Sequence, residues 1–279
     1  MDNLVVYHQI NKDHAYWIEK RAKKGGNTAG ILTHFYKEKV VENILFDAGF
    51  GTLEGLQDLA LFSWEWPLKV FITHGHIDHH AELMLLAEML CTRYKTAPSL
   101  EVYCTKETLE ELWNVHRYRF EKGLLVPKIL CPGQSVHCGI FTIFPIQVDH
   151  FKGAVIFLVR FQQHSLIIGW DLKTLPFEYI SILKNPSLAL FDANTWSPLS
   201  TVTGHTSIEE LVPFIKQLEP KIDLENQLFG VYLVHYSGKE DPWGPLTEEE
   251  LCYYLWKKYP ELMYIVKTAK RGQQWRFTF

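Results

Sequence analysis

Residues 71–80 read Phe-Ile-Thr-His-Gly-His-Ile-Asp-His-His, and this stretch decides the fold. A strand-like apolar run ends at Thr73, and four polar side chains follow within six residues: His74, His76, Asp78 and His79. His74 and His76 alternate, so on extended backbone their rings point to the same side. Four imidazole and carboxylate groups can bind two adjacent cations, and these ligand types suit zinc, manganese or iron. The stretch predicts a metal site where a strand leads into a helix.

The composition of the 279 residues is typical of a soluble globular protein, with 47% hydrophobic and 22% charged residues. The net charge of −4 argues against a protein that coats nucleic acid by electrostatics alone. Five cysteines without a C-x-x-C pair indicate free thiols rather than a disulfide framework. The sequence begins without a secretory signal, and no apolar run approaches the roughly 20 residues of a membrane helix. We therefore expect a cytoplasmic protein with no membrane partner.

Strand-like and helix-like segments follow one another along the whole chain. The predicted strands are 4–7, 30–36, 40–46, 68–73, 100–103, 165–170, 188–191 and 230–234, with a β-rich run over 129–162. The predicted helices are 53–61, 78–94, 106–120, 207–218 and 248–258. Capping boxes at Thr206 with Glu209 and at Thr247 with Glu250 should open the last two helices. No stretch reads as a linker, so we expect one mixed α/β domain over residues 1–279.

The H-x-H-x-D-H pattern after a strand resembles the signature of the metallo-β-lactamase superfamily, and further motifs follow in the order of that family. Residues 45–49, Leu-Phe-Asp-Ala-Gly, resemble its D-x-G turn. Residues 148–150, Val-Asp-His, resemble the third motif, and 169–171, Gly-Trp-Asp, the fourth. Residues 233–237, Leu-Val-His-Tyr-Ser, resemble the fifth. The resemblance implies a four-layer αββα sandwich, with two central mixed β-sheets, outer helices, and the site at one edge between the sheets.

The resemblance also implies a set of ligands for two divalent metal ions, with zinc or manganese ahead of iron. One ion would be held by His74, His76 and His150. The other would be held by Asp78, His79 and His235, with Asp171 bridging both ions. Asp47 would brace the metal-binding loop without touching the ions. Taken alone, His150 and His235 also read as polar strand ends, and Asp171 as a helix N-cap; His80 reads as a packing or supporting residue.

Residues 204–210, Gly-His-Thr-Ser-Ile-Glu-Glu, resemble the phosphodiesterase branch of the superfamily, which includes tRNA-maturation endonucleases and the cyclic phosphodiesterases of phosphonate utilisation. In that context His205 positions the phosphate or protonates the leaving oxygen, and a helix N-terminus already favours an anion. The alternative is that His205 only braces the helix cap. The catalytic roles implied by the resemblance are a bridge between the metals for Asp171, orientation of the attacking water for Asp78, and assistance to the leaving group for His205.

The resemblance favours a dinuclear metal-dependent hydrolase of a small or compact phosphodiester, with water activated by the metals. The basic run at residues 20–24 reads as a solvated face, and no arm for gripping transfer RNA is visible in the sequence. The turn from Lys239 to Pro245 is either a pocket wall or a connector. A short nucleic-acid substrate and a homodimer are left open. The alternatives are hydrolysis of a lactone, thioester or amide at the same centre, and a catalytically silent metal-binding regulatory protein.

Overall fold

The computed structural model describes residues 3–9, 29–36, 39–53, 56, 68–93, 95, 98–192, 195–196, 204–221, 230–234, 248–268 and 273–278. These residues form two seven-stranded β-sheets with helices on their outer faces. Within this described part, no helix is both long and apolar enough to cross a membrane. The five cysteines carry free thiols.

The first sheet places the ends of two parallel strands side by side. Its strands are β1 (Asn3–Gln9), β2 (Ala29–Tyr36), β3 (Lys39–Phe46), β4 (Leu68–Phe71), β5 (Leu100–Cys104), β6 (Leu125–Ile129) and β14 (Gln273–Thr278), in the order β14-β1-β2-β3-β4-β5-β6. The pairs from β14 to β3 are antiparallel, and those from β3 to β6 are parallel. Phe46 pairs with Phe71, so the segments after β3 and β4 leave the sheet at one edge.

The second sheet has the same organisation. Its strands are β7 (Val136–Cys138), β8 (Phe141–Gln147), β9 (Val155–Phe161), β10 (His164–Gly169), β11 (Leu188–Asp192), β12 (Gly230–Val234) and β13 (Val266–Thr268), in the order β13-β12-β11-β10-β9-β8-β7. Strands β10 to β13 are parallel. Phe191 pairs with Gly169 on one side and Leu233 on the other. The ends of β10, β11 and β12 therefore also meet at one edge.

The helices cover the outer faces of both sheets. They are α1 (Leu83–Ala87), α2 (Lys106–Glu121), α3 (Ile180–Leu183), α4 (Ile208–Leu218) and α5 (Glu248–Lys258); a π-helical turn, Glu88–Arg93, continues α1. Strand β3 shows how the layers arise, because its side chains alternate between faces. Ile44 and Phe46 pack between the sheets, whereas Leu45 packs under α1 and α2. The four-layer αββα sandwich predicted from the sequence is confirmed.

The continuous helix predicted over 78–94 is wrong. A 3₁₀ turn spans Ile77–His79, and α1 begins only at Leu83. The backbone between them pairs with the segment after β3: Ala48 N–H donates to the His79 carbonyl at 2.6 Å, and Glu82 N–H donates to the Ala48 carbonyl at 2.8 Å. These bonds hold the backbone at residues 79–82 outside a helix.

The capping box that opens α4 is also one residue later than predicted. Ser207, not Thr206, is the N-cap, and its hydroxyl and backbone pair reciprocally with Glu210, not Glu209. Thr206 N–H instead donates to the Leu172 carbonyl at 2.7 Å. The predicted cap at Thr247 and most of the predicted helix 53–61 lie outside the described residues.

Candidate metal centre

The predicted metal-binding loop leaves β4 at the edge where the two sheets meet. Past the end of β4, Ile72 N–H donates to the Tyr103 carbonyl of β5 at 2.9 Å. Val155 N–H, from the second sheet, donates to the Thr73 carbonyl at 3.0 Å. The loop is thus fixed to both sheets just before His74.

Asp47 is the hydrogen-bond acceptor that organises this loop. Its buried carboxylate accepts from Thr73 N–H at 2.8 Å and from the Thr73 hydroxyl at 2.7 Å. It also accepts from His79 Nδ1 at 2.8 Å and from Trp170 Nε1 at 2.7 Å. Asp47 adopts the left-handed backbone conformation, φ 59°, which aspartate tolerates better than most residues. One carboxylate therefore joins β3, the metal-binding loop and the end of β10.

Three histidines donate through Nδ1, which leaves Nε2 as the nitrogen that can bind a metal. His150 Nδ1 lies 2.6 Å from the Gly204 carbonyl, which can only accept, so His150 donates through Nδ1. His79 donates through Nδ1 to Asp47 in the same way. His74 Nδ1 lies 3.0 Å from the Thr73 hydroxyl, whose proton already points to Asp47. In each ring the other nitrogen, Nε2, is the one available to a metal.

The ring nitrogens converge on one point. His76 Nδ1 lies 2.9 Å from His74 Nε2 and 3.3 Å from His150 Nε2. One ligand atom from each of His74, His76, His150 and Asp171 falls within 4.8 Å of the others. The sequence separates His150 and Asp171 widely from His74 and His76, and the sheet edges bring them together.

Asp171 lies between the two groups of histidines. Its Oδ2 is 3.7 Å from Nε2 of both His74 and His150. The same oxygen is 2.9 Å from His79 Nε2. No helix begins at Asp171, which continues instead into a bend, so the helix N-cap alternative does not apply. This position suits a carboxylate shared between two cations.

The donor set fits a divalent cation. His79 Nε2 is completely buried, and within the described residues it makes no bond of hydrogen-bond geometry, although Asp171 Oδ2 is only 2.9 Å away. A buried polar atom without such a bond is costly in an ordinary core. Imidazole nitrogens and a carboxylate that converge on one point are the arrangement that metal ligands adopt.

The electrostatics of the centre also favour cations. Burial is the main cause that lowers the pKa of His74, His76 and His150, so these imidazoles are neutral near pH 7, as ligands must be. Burial also acts on His79, but Asp171 and Asp47 more than offset it and raise its pKa well above the ordinary value. Metal binding there has to displace a proton from His79.

Two of the predicted ligands need separate mention. Asp78 lies in the 3₁₀ turn, with its half-exposed carboxylate 3.7 Å from His79 Nε2. His235 lies outside the described residues; it follows directly on Val234, the last residue of β12. The turn from Lys239 to Pro245 lies outside them as well.

His205 lies beside the predicted ligands and is paired with a carboxylate. Its Nδ1 is 2.6 Å from Oδ2 of the fully buried Asp192, the last residue of β11. Its ring centroid is 4.8 Å from that of His150. Ligand atoms of Asp171, Asp192 and His205 lie within 4.8 Å of one another. The cap of α4 is closed by Ser207 and Glu210, so His205 is not needed to brace it.

Sequence reasoning left two residues of this centre without a role. Asp192 was visible only as a polar residue ending an apolar strand, and its partner His205 lies 13 positions away. Trp170 was noted only as the neighbour of Asp171, whereas its indole N–H reaches Asp47 across 123 positions. The signal in the sequence that could have identified Asp192 is its position, because a polar residue at the end of a central parallel strand indicates a functional site.

His80 and His116 form a buried pair behind the loop. His80 Nδ1 lies 2.9 Å from His116 Nε2, and His80 Nε2 lies 3.1 Å from the Gly75 carbonyl. Burial, followed by the nearby His80 ring, lowers the pKa of His116 to about 4. Because an unfolded histidine has a pKa near 6.5, the unfolded chain binds more protons between these values. The stability contributed by neutral His116 is therefore complete above pH 6.5 and is lost as the pH falls toward 4.

We expect the His116→Gln variant to lose less stability in acid than the wild type. Between about pH 7.5 and pH 5, the wild type should lose about 2 kcal/mol more of its free energy of unfolding than the variant does. Urea denaturation of the metal-free proteins at both pH values measures this difference. Equal losses in the two proteins would show that the pKa of His116 is the same in the folded and unfolded states.

An αββα sandwich with histidines and aspartates converging where its two sheets meet is the arrangement of the metallo-β-lactamase fold. Residues 42–235, well over half of the chain, match the family described as the beta-lactamase superfamily domain, so the chain belongs to the beta-lactamase superfamily. That superfamily consists mostly of metal-dependent hydrolases. No curated protein sequence matches the chain significantly.

Solved structures share the fold over nearly the whole chain. The metallo-beta-lactamase fold protein YhfI from Bacillus subtilis is 15% identical, with a TM-score of 0.71, over 99% of this chain and 100% of its own. A diphosphatase from the PhnP family is 16% identical, with a TM-score of 0.66, over 99% and 98% of the two chains. Human tRNase Z, short form (ELAC1), is 16% identical, with a TM-score of 0.62, over 98% of each chain. At these identities the likeness establishes the fold.

Proposed function

We propose that this protein is a dinuclear metal-dependent phosphodiesterase that acts on a small phosphodiester. The observation that carries the proposal is the His205–Asp192 pair, 2.6 Å apart, beside the aspartate between the two groups of candidate ligands. The similarity to a PhnP-family diphosphatase and to a tRNase Z supports a phosphoryl substrate. Zinc or manganese is the metal we expect at the centre.

The candidate ligands divide between two ions as the sequence motifs suggest. His74, His76 and His150 would hold one ion, and Asp78, His79 and His235 the other, with Asp171 between them. Bound divalent ions there would lower the pKa of water and polarise the phosphoryl oxygen. Asp78, whose half-exposed carboxylate lies 3.7 Å from His79 Nε2, would orient the attacking water.

His205 would complete the reaction by proton transfer. Its Nδ1 donates to Asp192, a carboxylate that holds the ring in one orientation. The other nitrogen is then available to give a proton to the departing alkoxide. Asp192 acts on the substrate only through His205.

An open cavity of about 860 Å³ adjoins His150 and has the size of a small-molecule site. Glu107, Asp149 and Glu178 contribute carboxylates to its wall, and its Lys152 is paired with Glu110 at 2.7 Å. This wall repels a phosphate, so we expect the phosphate at the metal centre and the uncharged or amine-bearing part of the substrate in the cavity. A compact substrate is favoured over a folded RNA.

We expect purified protein to contain about two equivalents of metal by elemental analysis and to cleave bis-p-nitrophenyl phosphate faster than p-nitrophenyl acetate. Removal of the metal by a chelator should abolish cleavage of both esters, and added zinc or manganese should restore cleavage of the phosphodiester. Faster cleavage of the acetate would favour the carbonyl-hydrolase alternative. Stoichiometric metal without turnover of either ester would favour a regulatory metal-binding protein, and absence of metal would contradict the whole proposal.

His205→Ala should lower turnover of a phosphodiester by roughly 10²-fold and leave the metal content unchanged. The loss should be larger for a diester with an alkyl leaving group than for one with p-nitrophenolate, because the poorer leaving group needs the proton more. His164→Ala, which removes a half-buried imidazole from β10, is the matched control. An equal loss for both leaving groups would exclude general-acid catalysis, and loss of metal would make His205 a ligand.

A further inference from the structure

A chain of polar contacts connects the metal-binding loop to helix α2. It begins at the carbonyl of Gly75, which lies between the predicted ligands His74 and His76. His80 Nε2 lies 3.1 Å from that carbonyl, and His80 Nδ1 lies 2.9 Å from His116 Nε2 of α2. The rings of His80 and His116 are almost completely buried, with exposed fractions of 1% and 4%.

The direction of each hydrogen bond follows from the carbonyl. Because a carbonyl only accepts, His80 must carry its proton on Nε2. A neutral imidazole carries one proton, so its two nitrogens are one donor and one acceptor. His80 Nδ1 is then an acceptor, and His116 must donate to it through Nε2. The contacts form one ordered series, from His116 to His80 to the Gly75 carbonyl.

Helix α2 is shaped to make this contact. Its backbone departs from helical geometry at His116, with φ −111° and ψ 17°. Five residues earlier the helix also fits closely against the loop: a Cβ on Gly75 would lie 2.7 Å from Glu111 Cβ. The loop therefore contacts the helix at two places, Gly75 against Glu111 and His80 against His116. The departure from helical geometry lies at the second of these contacts.

The Gly75 carbonyl belongs to the peptide plane that precedes His76. A fixed carbonyl oxygen fixes that plane, because the peptide unit is rigid. The plane in turn restricts where the His76 ring can lie, and His76 Nδ1 has to stay close to His74 Nε2, from which it is 2.9 Å away, for both to reach one ion. A hydrogen bond to this carbonyl thus controls a ligand that it does not touch.

We propose that His116 is a positioning residue for the metal centre, acting through His80 on the Gly75 carbonyl to hold His74 and His76 in ligand geometry. The inference rests on the proposed function, since it presumes that the loop binds metal. Neither His80 nor His116 is a metal ligand in this scheme. Supporting bonds of this kind, one step removed from the ion, typically change metal affinity by 10- to 100-fold when lost.

Two substitutions of His116 separate the hydrogen bond from the volume of the side chain. His116→Leu removes the donor, and we expect it to weaken Zn²⁺ binding by roughly 10- to 100-fold and to alter the visible spectrum of the Co²⁺-loaded protein. His116→Gln keeps an N–H at similar reach, and we expect binding within about threefold of the wild type. His164→Leu, a change of the same kind outside the centre, should leave Zn²⁺ affinity unchanged. Competition with a chelator measures all four proteins.

The results discriminate between this inference and the proposed function. A wild type that binds no Zn²⁺ contradicts the proposed function. A wild type that binds Zn²⁺, with a folded His116→Leu variant that binds equally well, overturns only the role of His116. A folded Gln variant as weak as the Leu variant also overturns it, because the donor would then not matter.

Imidazole ¹⁵N NMR of the metal-free wild type decides the matter where His116→Leu does not fold. We expect both His80 and His116 to carry their proton on Nε2. A proton on Nδ1 of His80 would break the series of hydrogen bonds and overturn the inference.

Discussion

Replacing Asp171 by alanine should lower phosphodiester turnover by roughly 10³-fold or more and reduce the bound metal from about two equivalents to one or fewer. The expectation follows from its position, with Oδ2 at 2.9 Å from His79 Nε2 and 3.7 Å from Nε2 of both His74 and His150. No other described carboxylate lies so close to both groups of histidines. Elemental analysis and steady-state kinetics on the same preparation test both parts.

Two further variants make the Asp171 result specific. Asp171→Asn keeps the shape and removes the charge, so it should retain more metal than the alanine variant but little turnover. Glu121→Gln removes an exposed carboxylate paired with Arg117 and should have no effect. Full metal content in Asp171→Ala would contradict a bridging role, whatever its activity.

Replacing Asp47 by alanine should have the largest effect on stability, a loss of about 3–5 kcal/mol in the free energy of unfolding of the metal-free protein. Four buried donors from Thr73, His79 and Trp170 would lose their acceptor. The left-handed backbone at Asp47, φ 59°, adds to the cost for alanine. The melting temperature should fall by roughly 10 °C.

Two variants separate the backbone cost from the lost hydrogen bonds. Asp47→Gly accepts the backbone conformation without strain, so it should recover about 1 kcal/mol relative to alanine and no more. Asp47→Asn keeps one carbonyl acceptor and should be the mildest of the three. A loss below about 1 kcal/mol in the alanine variant would mean that the donors find other partners or water.

The layered fold was predictable because its main determinants are local. Apolar runs that end in polar residues define strands such as β4 and β12, and their alternation with helix-like segments indicates a mixed α/β architecture. The four-layer order of the sandwich came from the family resemblance. The loop after β4 carries its metal-ligating residue types within six positions, so their clustering directly after a strand indicated a site. These features depend on neighbours in sequence.

What the sequence could not supply depends on contacts between distant segments. The pairs Trp170–Asp47, His80–His116 and Asp192–His205 are formed only when separate strands and helices meet. The predicted N-cap of α4 was wrong for a different reason: two adjacent hydroxyl residues, Thr206 and Ser207, each precede a glutamate by three residues. Local pattern does not distinguish them, and the bond from Thr206 N–H to Leu172 selects Ser207.

The convergence of ligands from both sheets has a consequence for how the protein acquires its ions. Segments that follow β4, β8 and β10 contribute to one cluster, so no single segment presents more than part of it. A chain still emerging from the ribosome, or one with its sheets undocked, offers only low-affinity sites. An ion that binds the assembled form alone adds its binding free energy to that form. We therefore expect the amount of tightly bound metal in a preparation to be proportional to the number of molecules that have folded completely.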